Sequence, residues 1–391
     1  MKSLTILRLL LQDASVSTGA NVTRDFNYLK SRLKHEGESF LTICLPSFGS
    51  GLLASLECGR IVSSSFTAFR RKTKGGKVMA VPCFLHGLVT RVFDEWTGDL
   101  RSDANIDAIF FIWQICCLYK KQKLPCSEER EQDAFRAYID ADLSLRKKRL
   151  PVDLYFQTIC RRVVGELASA YPGSFPEYTD GEHTRSTDVR SDRTGLSMGE
   201  LLPKHGPGST ADGFLRNQKF TVRDWYSRWD GVFSWEELYG FQTVHQVDNT
   251  ASILPRQELP VKVISVPKTM KTPRIISVEP TAMQFAQQLV SRRLIHAISM
   301  SSFSQQIDIS RQKTNADLAL AGSLTGDWAT IDLSEASDRI SARLVRDVFK
   351  TAPKIAKQLF STRTRVARFG DGTELILAKF ASMGSACTFP V

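Results

Sequence analysis

Apolar residues return every three or four positions along Ile106 to Tyr119 and again along Leu154 to Ala168, so the chain from Met1 to about Ala170 predicts a helix-rich region. A shorter period takes over later. Val261, Val263 and Ile264 to Val266, followed by Arg274 to Val278, predict two strands around a basic turn at Lys268 to Thr272, with Pro267 and Pro273 holding their neighbours extended. In Trp328 to Leu333, alternation sends Ala329, Ile331 and Leu333 to one face of a strand and Trp328, Thr330 and Asp332 to the other. Beyond it Ala336, Ile340, Leu344 and Val348 recur every four residues, with Val345 and Phe349 widening the stripe into the face of an amphipathic helix. Val366 to Phe369 and Glu374 to Lys379 flank Gly370, Asp371 and Gly372, the signature of a hairpin. A helical first half and a mixed second half predict an α+β fold.

Residues 171–199 are rich in Pro, Gly, Ser, Thr, Asp and Arg and lack periodicity, which predicts a long loop or junction. The expected organisation is a helix-rich region over 1–170, that junction, a second region over 200–325 carrying the basic hairpin, and a sheet-bearing region over 326–391. His205 to Thr210 contains a Gly-Pro-Gly turn whose glycines would also admit a phosphate, the plain turn being the simpler reading. Trp225, Trp229, Phe233 and Trp235 lie near Arg223 and Arg228. Aromatic residues beside cations can stack on bases, although at helical spacing they are more often core.

With 391 residues, 42% of them apolar, the chain can bury more than one core, which excludes a disordered tail. Its 52 Lys and Arg against 41 Asp and Glu give a net charge of +11, which favours a polyanionic partner such as nucleic acid. Basic runs at Arg70 to Lys77, Lys120 to Lys123 and Arg146 to Arg149 read singly as solvated faces and jointly as a track for a template. The 8 cysteines form no Cys-x-x-Cys pair and have no His at zinc-finger spacing, so they are expected to be reduced thiols of a cytosolic protein. Arg8 interrupts the apolar N-terminus, arguing against a signal peptide, and Ile106 to Tyr119 is too short to cross a bilayer. No membrane role is expected.

Three constellations could carry chemistry. Lys268, Lys271 and Arg274 gather at one hairpin tip, where they either grip linked phosphates or form an ordinary solvated turn. Asp332 stands at the end of the expected strand, where it either meets a hard cation such as Mg2+ or caps the following helix. Asp338 could reach a ribose, or sit exposed beside Arg339. Downstream, Ser382 offers a hydroxyl and Gly384 permits close backbone approach to a ligand.

In order, these segments resemble the polymerase motifs lettered F, A and B in the replicases of single-stranded RNA bacteriophages, the leviviruses. The order is a basic hairpin, then an aspartate in Asp-Leu-Ser-Glu-Ala-Ser-Asp, then Ser-Met-Gly leading into an expected helix. Phe40 to Pro46, Pro82 to Gly87, the Cys126 to Arg130 neighbourhood and Gly206 to Thr210 resemble N-terminal landmarks of that family. The resemblance implies a right-hand polymerase: fingers from the helical half and the basic hairpin, and the start of an antiparallel palm sheet near Gly326, with the rest of the palm and the thumb expected to be absent from these residues. It also implies template-directed joining of ribonucleoside triphosphates. Asp332 would ligate the catalytic Mg2+, of which the complete enzyme holds a pair, while Lys268, Lys271 and Arg274 guide the triphosphate. Ser382 and Gly384 would shape the pocket, and Asp338 would stand near the ribose, one residue beyond the common spacing that Ser337 occupies. Implied partners are template and product RNA, nucleotides, host translation elongation factors and a ribosomal protein, in the cytoplasm of a bacterial host. The family's Gly-Asp-Asp turn does not occur in these residues, and Gly370-Asp371-Gly372 precedes Ser-Met-Gly and is no substitute, so a truncated and inactive frame is expected. A reverse-transcriptase-like polymerase would share the palm aspartate without these fingers. A non-catalytic RNA-binding protein would share the charge without the motif order.

Overall fold

The computed structural model describes residues 2–62, 64–147, 153–172, 202–240, 257–307, 309 and 312–391. The polar stretch 173–199 and the basic residues Lys148 and Arg149 lie outside the described residues. Met1–Ala134 with Ser265–Arg274 form one compact unit, and Phe135–Ile264 with Ile275–Val391 form a second. The architecture is α+β, helix-rich with small sheets.

The first unit contains α1 (Lys2–Thr18), α2 (Thr23–Glu36), α3 (Leu45–Glu57), the short α4 (His86–Val89) and α5 (Ile106–Cys117). The periodicity over Ile106 to Tyr119 is realised as α5, which Asn105 caps by accepting a hydrogen bond from Ala108 N at 2.8 Å. Leu7, Leu29, Phe48, Leu52 and Ile112 are fully buried together, and the rings of Tyr28, Phe48, Phe69 and Phe84 stack or meet edge to face. Phe40 to Glu57 is long and apolar enough to cross a membrane by length and composition, and its Phe40, Leu41, Leu45, Phe48 and Leu52 are spent on this core. The basic run from Arg70 is not helical: it forms β1 (Arg71–Lys74) and β2 (Lys77–Pro82), an antiparallel hairpin turning at Gly75 and Gly76.

In the second unit, α6 (Glu128–Lys147), which begins in the first unit, supplies Tyr138 and Asp142, and α7 (Leu154–Ala170) follows the expected period. The central element is α8 (Thr281–Met300), whose Met283, Phe285, Ala286, Leu289, Val290 and Leu294 are buried on almost every side. A helix buried on so many sides needs partners all round, for its apolar residues and for polar ones such as Gln287 and Arg293. Around α8 the core also takes in buried residues of α7, α11 (Pro353–Thr362) and the Trp229 region. Both predicted hairpins form. Strands β3 (Val261–Val266), β4 (Arg274–Val278), β5 (Val366–Arg368) and β6 (Glu374–Ile376) make one sheet in the order β4-β3-β5-β6, with β3 parallel to β5 and β5 antiparallel to β6.

Three expectations need correction. Residues 327–333, after α9 (Gln312–Thr325), form no strand: they run irregularly, with Trp328, Ile331 and Leu333 between 62% and 82% exposed. A strand needs a neighbour to take its backbone hydrogen bonds, and no described segment pairs with this one. The helix expected from Ala336 starts later. Ala336–Arg339 is a 3-10 turn, and α10 (Ala342–Val348) begins where Ser341 accepts a hydrogen bond from Leu344 N at 3.0 Å. Val345 and Phe349 of the predicted stripe are buried. After Ser-Met-Gly the chain makes turns rather than a helix. Gln287 Oε1 accepts from Ser385 Oγ at 3.0 Å and Ala386 N at 3.1 Å, directing these donors toward α8.

Candidate functional site

In the first unit the hairpin tip carries its cations outward. Lys268, Lys271 and Arg274 are all exposed, and no described carboxylate pairs with them. The backbone between them is anchored. Met270 O accepts from the Cys126 thiol at 3.2 Å and from Arg130 Nη1 at 3.3 Å, while Met270 Sδ accepts from Thr42 Oγ1 at 3.4 Å. Ser265 and Glu131 are also hydrogen-bonded. Thr42 and the Cys126 to Arg130 neighbourhood, which sequence reading names only as landmarks, therefore hold the tip in shape. Long charged side chains on a fixed turn lose less freedom on meeting an anion than they would on a loose one.

In the second unit the Ser-Met-Gly loop is fastened to β4. Ser277 N donates to Met383 O at 2.9 Å, and Gly384, at φ +127°, lies so close to Ser277 O that a Cβ would collide with it. Ser382 is buried, and its hydroxyl lies 3.0 Å from Tyr138 Oη, which lies 2.9 Å from Ser277 Oγ. Burial pushes the Tyr138 phenol up to about 12, against the lowering effect of the two serine hydroxyls. It therefore stays protonated, and one helix residue ties strand to loop.

Asp338 is not a free charge beside Arg339, which instead pairs with Glu335 at 2.7 Å. Asp338 Oδ1 accepts from Lys379 Nζ at 3.0 Å, and that ammonium stands 3.4 Å from the centroid of the Tyr138 ring. Lys379 is fully buried, and burial lowers its pKa while Asp338 raises it. The backbone beside it is pinned as well: Asp142 accepts from Ala378 N at 3.0 Å and Lys379 N at 2.9 Å, and Phe380 N donates to Ile340 O at 2.7 Å. The segment following Asp332 and the strand leading to Ser382 are thus bound side by side. Tyr138, Asp142 and Lys379 escape sequence reasoning. The signal for one is a lone lysine in Leu377, Ala378, Lys379, Phe380, Ala381, since a lysine inside an apolar run demands a buried carboxylate.

Asp332 is exposed on the irregular segment, and it caps no helix, because Ser341 does that. Among the described residues no three His, Cys, Asp or Glu side chains converge on a common point. One carboxylate suits Mg2+, which also takes substrate phosphates, but these residues do not make a complete metal site. The Gly206 to Thr210 turn is structural: Lys219, almost wholly buried, donates to Gly208 O at 2.6 Å and also to Gly206 O. Trp229 and Phe233 are core, with Trp225 and Trp235 packed against it.

Comparison with known proteins gives these segments relatives. Residues 246–391 match the family described as RNA replicase, beta-chain. The chain is 38% identical over 128 residues to the RNA-directed RNA polymerase subunit beta of Enterobacteria phage SP, covering 33% of this chain and 21% of that protein. It is 34% identical over 128 residues to the subunit of the same name in Qbeta virus (strain MX1), again 33% of this chain and 21% of the relative. It is 29% identical over 283 residues to the RNA-directed RNA polymerase beta chain of Escherichia phage MS2, covering 69% of this chain and 45% of that protein. The chain thus matches less than half the length of these relatives. The leviviral resemblance read from motif order is borne out.

Proposed function

We propose that this chain, similar to part of the replicase beta chains of single-stranded RNA bacteriophages, supplies the fingers and first palm elements of an RNA-directed RNA polymerase. The observation that carries the reading is the binding together of ordered segments: the Asp338 turn is paired to Lys379, and the Ser-Met-Gly loop that follows is fastened to β4 of the cationic hairpin. Such a frame suits template-directed nucleotidyl transfer in a bacterial cytoplasm. Lys268, Lys271 and Arg274 meet the triphosphate, the lysines as mobile point charges and the arginine as a planar fork. Ser382 and Gly384 form the wall of the pocket, and Asp338 orients it through Lys379.

In this reading Asp332 holds Mg2+, which when bound stabilises charge on the phosphates during transfer. The remaining carboxylates come from a Gly-Asp-Asp turn that these residues do not include. On this reading these 391 residues hold one of the carboxylates that the metal needs and are inactive by themselves. Host translation elongation factors and a ribosomal protein join the complex on the same reading.

The test is ribonucleotide incorporation on an RNA template by the full-length reading frame. Lys268→Ala and Arg274→Ala should each raise the apparent KM for nucleotides roughly ten- to a hundredfold, as losing a charge-assisted hydrogen bond of roughly 1.5–3 kcal/mol implies. An unchanged KM would reduce the hairpin to a surface feature.

A further inference from the structure

The second unit also contains a groove of about 610 Å³ between α6, α7 and α10, lined by none of the residues assigned above to nucleotide chemistry. Its size falls within the range of ligand-holding clefts, about 300–1,000 Å³. Its walls are cationic. Arg161 comes from α7, Arg343 from α10, and Arg339 and Lys350 from the turns on either side of α10, against the single carboxylate of Asp347. Arg339 is shared with Glu335, but no described carboxylate pairs with Arg161, Arg343 or Lys350, all of them exposed. Half-buried Phe156 adds an aromatic surface between these charges.

Unneutralised guanidinium groups around an aromatic patch suit a ligand with repeated phosphates and flat bases. We infer that this groove is a second RNA-binding site, holding a single strand by its phosphates with a base against Phe156. The choice of RNA rests on the polymerase reading; the cationic cleft itself does not. None of its lining residues belongs to the hairpin tip, so its proposed ligand is a strand of RNA and not the incoming nucleotide. It would keep a strand on the protein between additions.

Cys160 lines the groove and reports on its occupancy, while Cys58, exposed just beyond α3, serves as an internal reference. Alkylation of both thiols by iodoacetamide is followed in the full-length chain with and without an unstructured RNA oligonucleotide. RNA should slow modification at Cys160 several-fold and leave Cys58 unchanged, while polyaspartate protects neither. The triple variant Arg161→Gln, Arg343→Gln, Lys350→Gln should lose the protection and flatten the slope of log affinity against log salt by about 2, at roughly 0.7 per phosphate contact on a single strand. A variant with Lys120→Gln, Lys121→Gln and Lys123→Gln should keep the protection. No protection of Cys160, equal protection of Cys58, protection by polyaspartate, or an unchanged salt slope would each overturn the proposal. Binding and incorporation are read separately. Incorporation without protection would sink the groove and spare the polymerase reading; protection in a chain that never incorporates would do the reverse.

Discussion

At Gly384 a single hydrogen in place of a side chain lets the loop pass β4, because any Cβ there would overlap Ser277 O. Gly384→Ala must shift either the loop or the strand, and its expected cost is roughly 1–3 kcal/mol in urea denaturation, the range of overpacking and of backbone strain. Unaltered stability would show that the loop is free to relax. The glycine is visible in the sequence as part of Ser-Met-Gly; the strand that makes it necessary is not, since the two are far apart in the chain. Lys379 teaches the same lesson from the other side. Its apolar neighbours reveal that it is buried, but its partner Asp338 and the Tyr138 ring beneath it come from distant segments. Residue chemistry was readable, and residue pairing was not.

Among the elements, local rules succeeded where the deciding partners were local. The strands at Val261–Val266 and Arg274–Val278 lie where prolines and alternation put them, and α5 and α7 follow their apolar period. Residues 328–333 alternate just as clearly and still form no strand, because alternation provides a face but not the neighbour that takes the hydrogen bonds. The helix expected after it starts late, where Ser341 offers a cap and the chain between is held to Phe380. Helix α6 works as the beam that joins β4 to the Ser-Met-Gly loop, and Tyr138 is its point of attachment. Tyr138→Phe keeps the ring under Lys379 but removes the hydroxyl between two buried serines. The expected destabilisation is roughly 1–3 kcal/mol by chemical denaturation. A change close to zero would mean that Ser277 and Ser382 satisfy each other.

For the molecule as a whole, the sequence conveyed the α+β class and the motif order, while the division into units depends on contacts between remote segments. The two units should also answer acid differently. Asp25, buried in the first unit and accepting from Leu85 N at 2.7 Å, is pushed up from 3.8 to about 6, chiefly by burial. Its folded form binds the proton more tightly than the unfolded form, so the stability it gives at low pH is lost as pH rises through about 6. His205 in the second unit, stacked 4.4 Å from Phe285, is pushed down from 6.5 to about 4, chiefly by burial and then by Lys219 and Arg223. Its folded form binds the proton less tightly, so stability is lost as pH falls from 6.5 toward 4. Between those limits acidification strengthens the first unit and weakens the second, which amide exchange followed unit by unit would reveal; parallel responses would contradict it. The central claim is narrower than either: Asp332 is the carboxylate on which the polymerase chemistry depends. The direct measurement is Mg2+-dependent, template-directed ribonucleotide incorporation by the full-length reading frame carrying Asp332→Asn, beside the unaltered protein and with RNA binding measured in parallel. The account predicts that incorporation falls at least a hundredfold, about 2.7 kcal/mol or more of lost transition-state stabilisation, while RNA binding is retained. Near-normal incorporation by Asp332→Asn would contradict it.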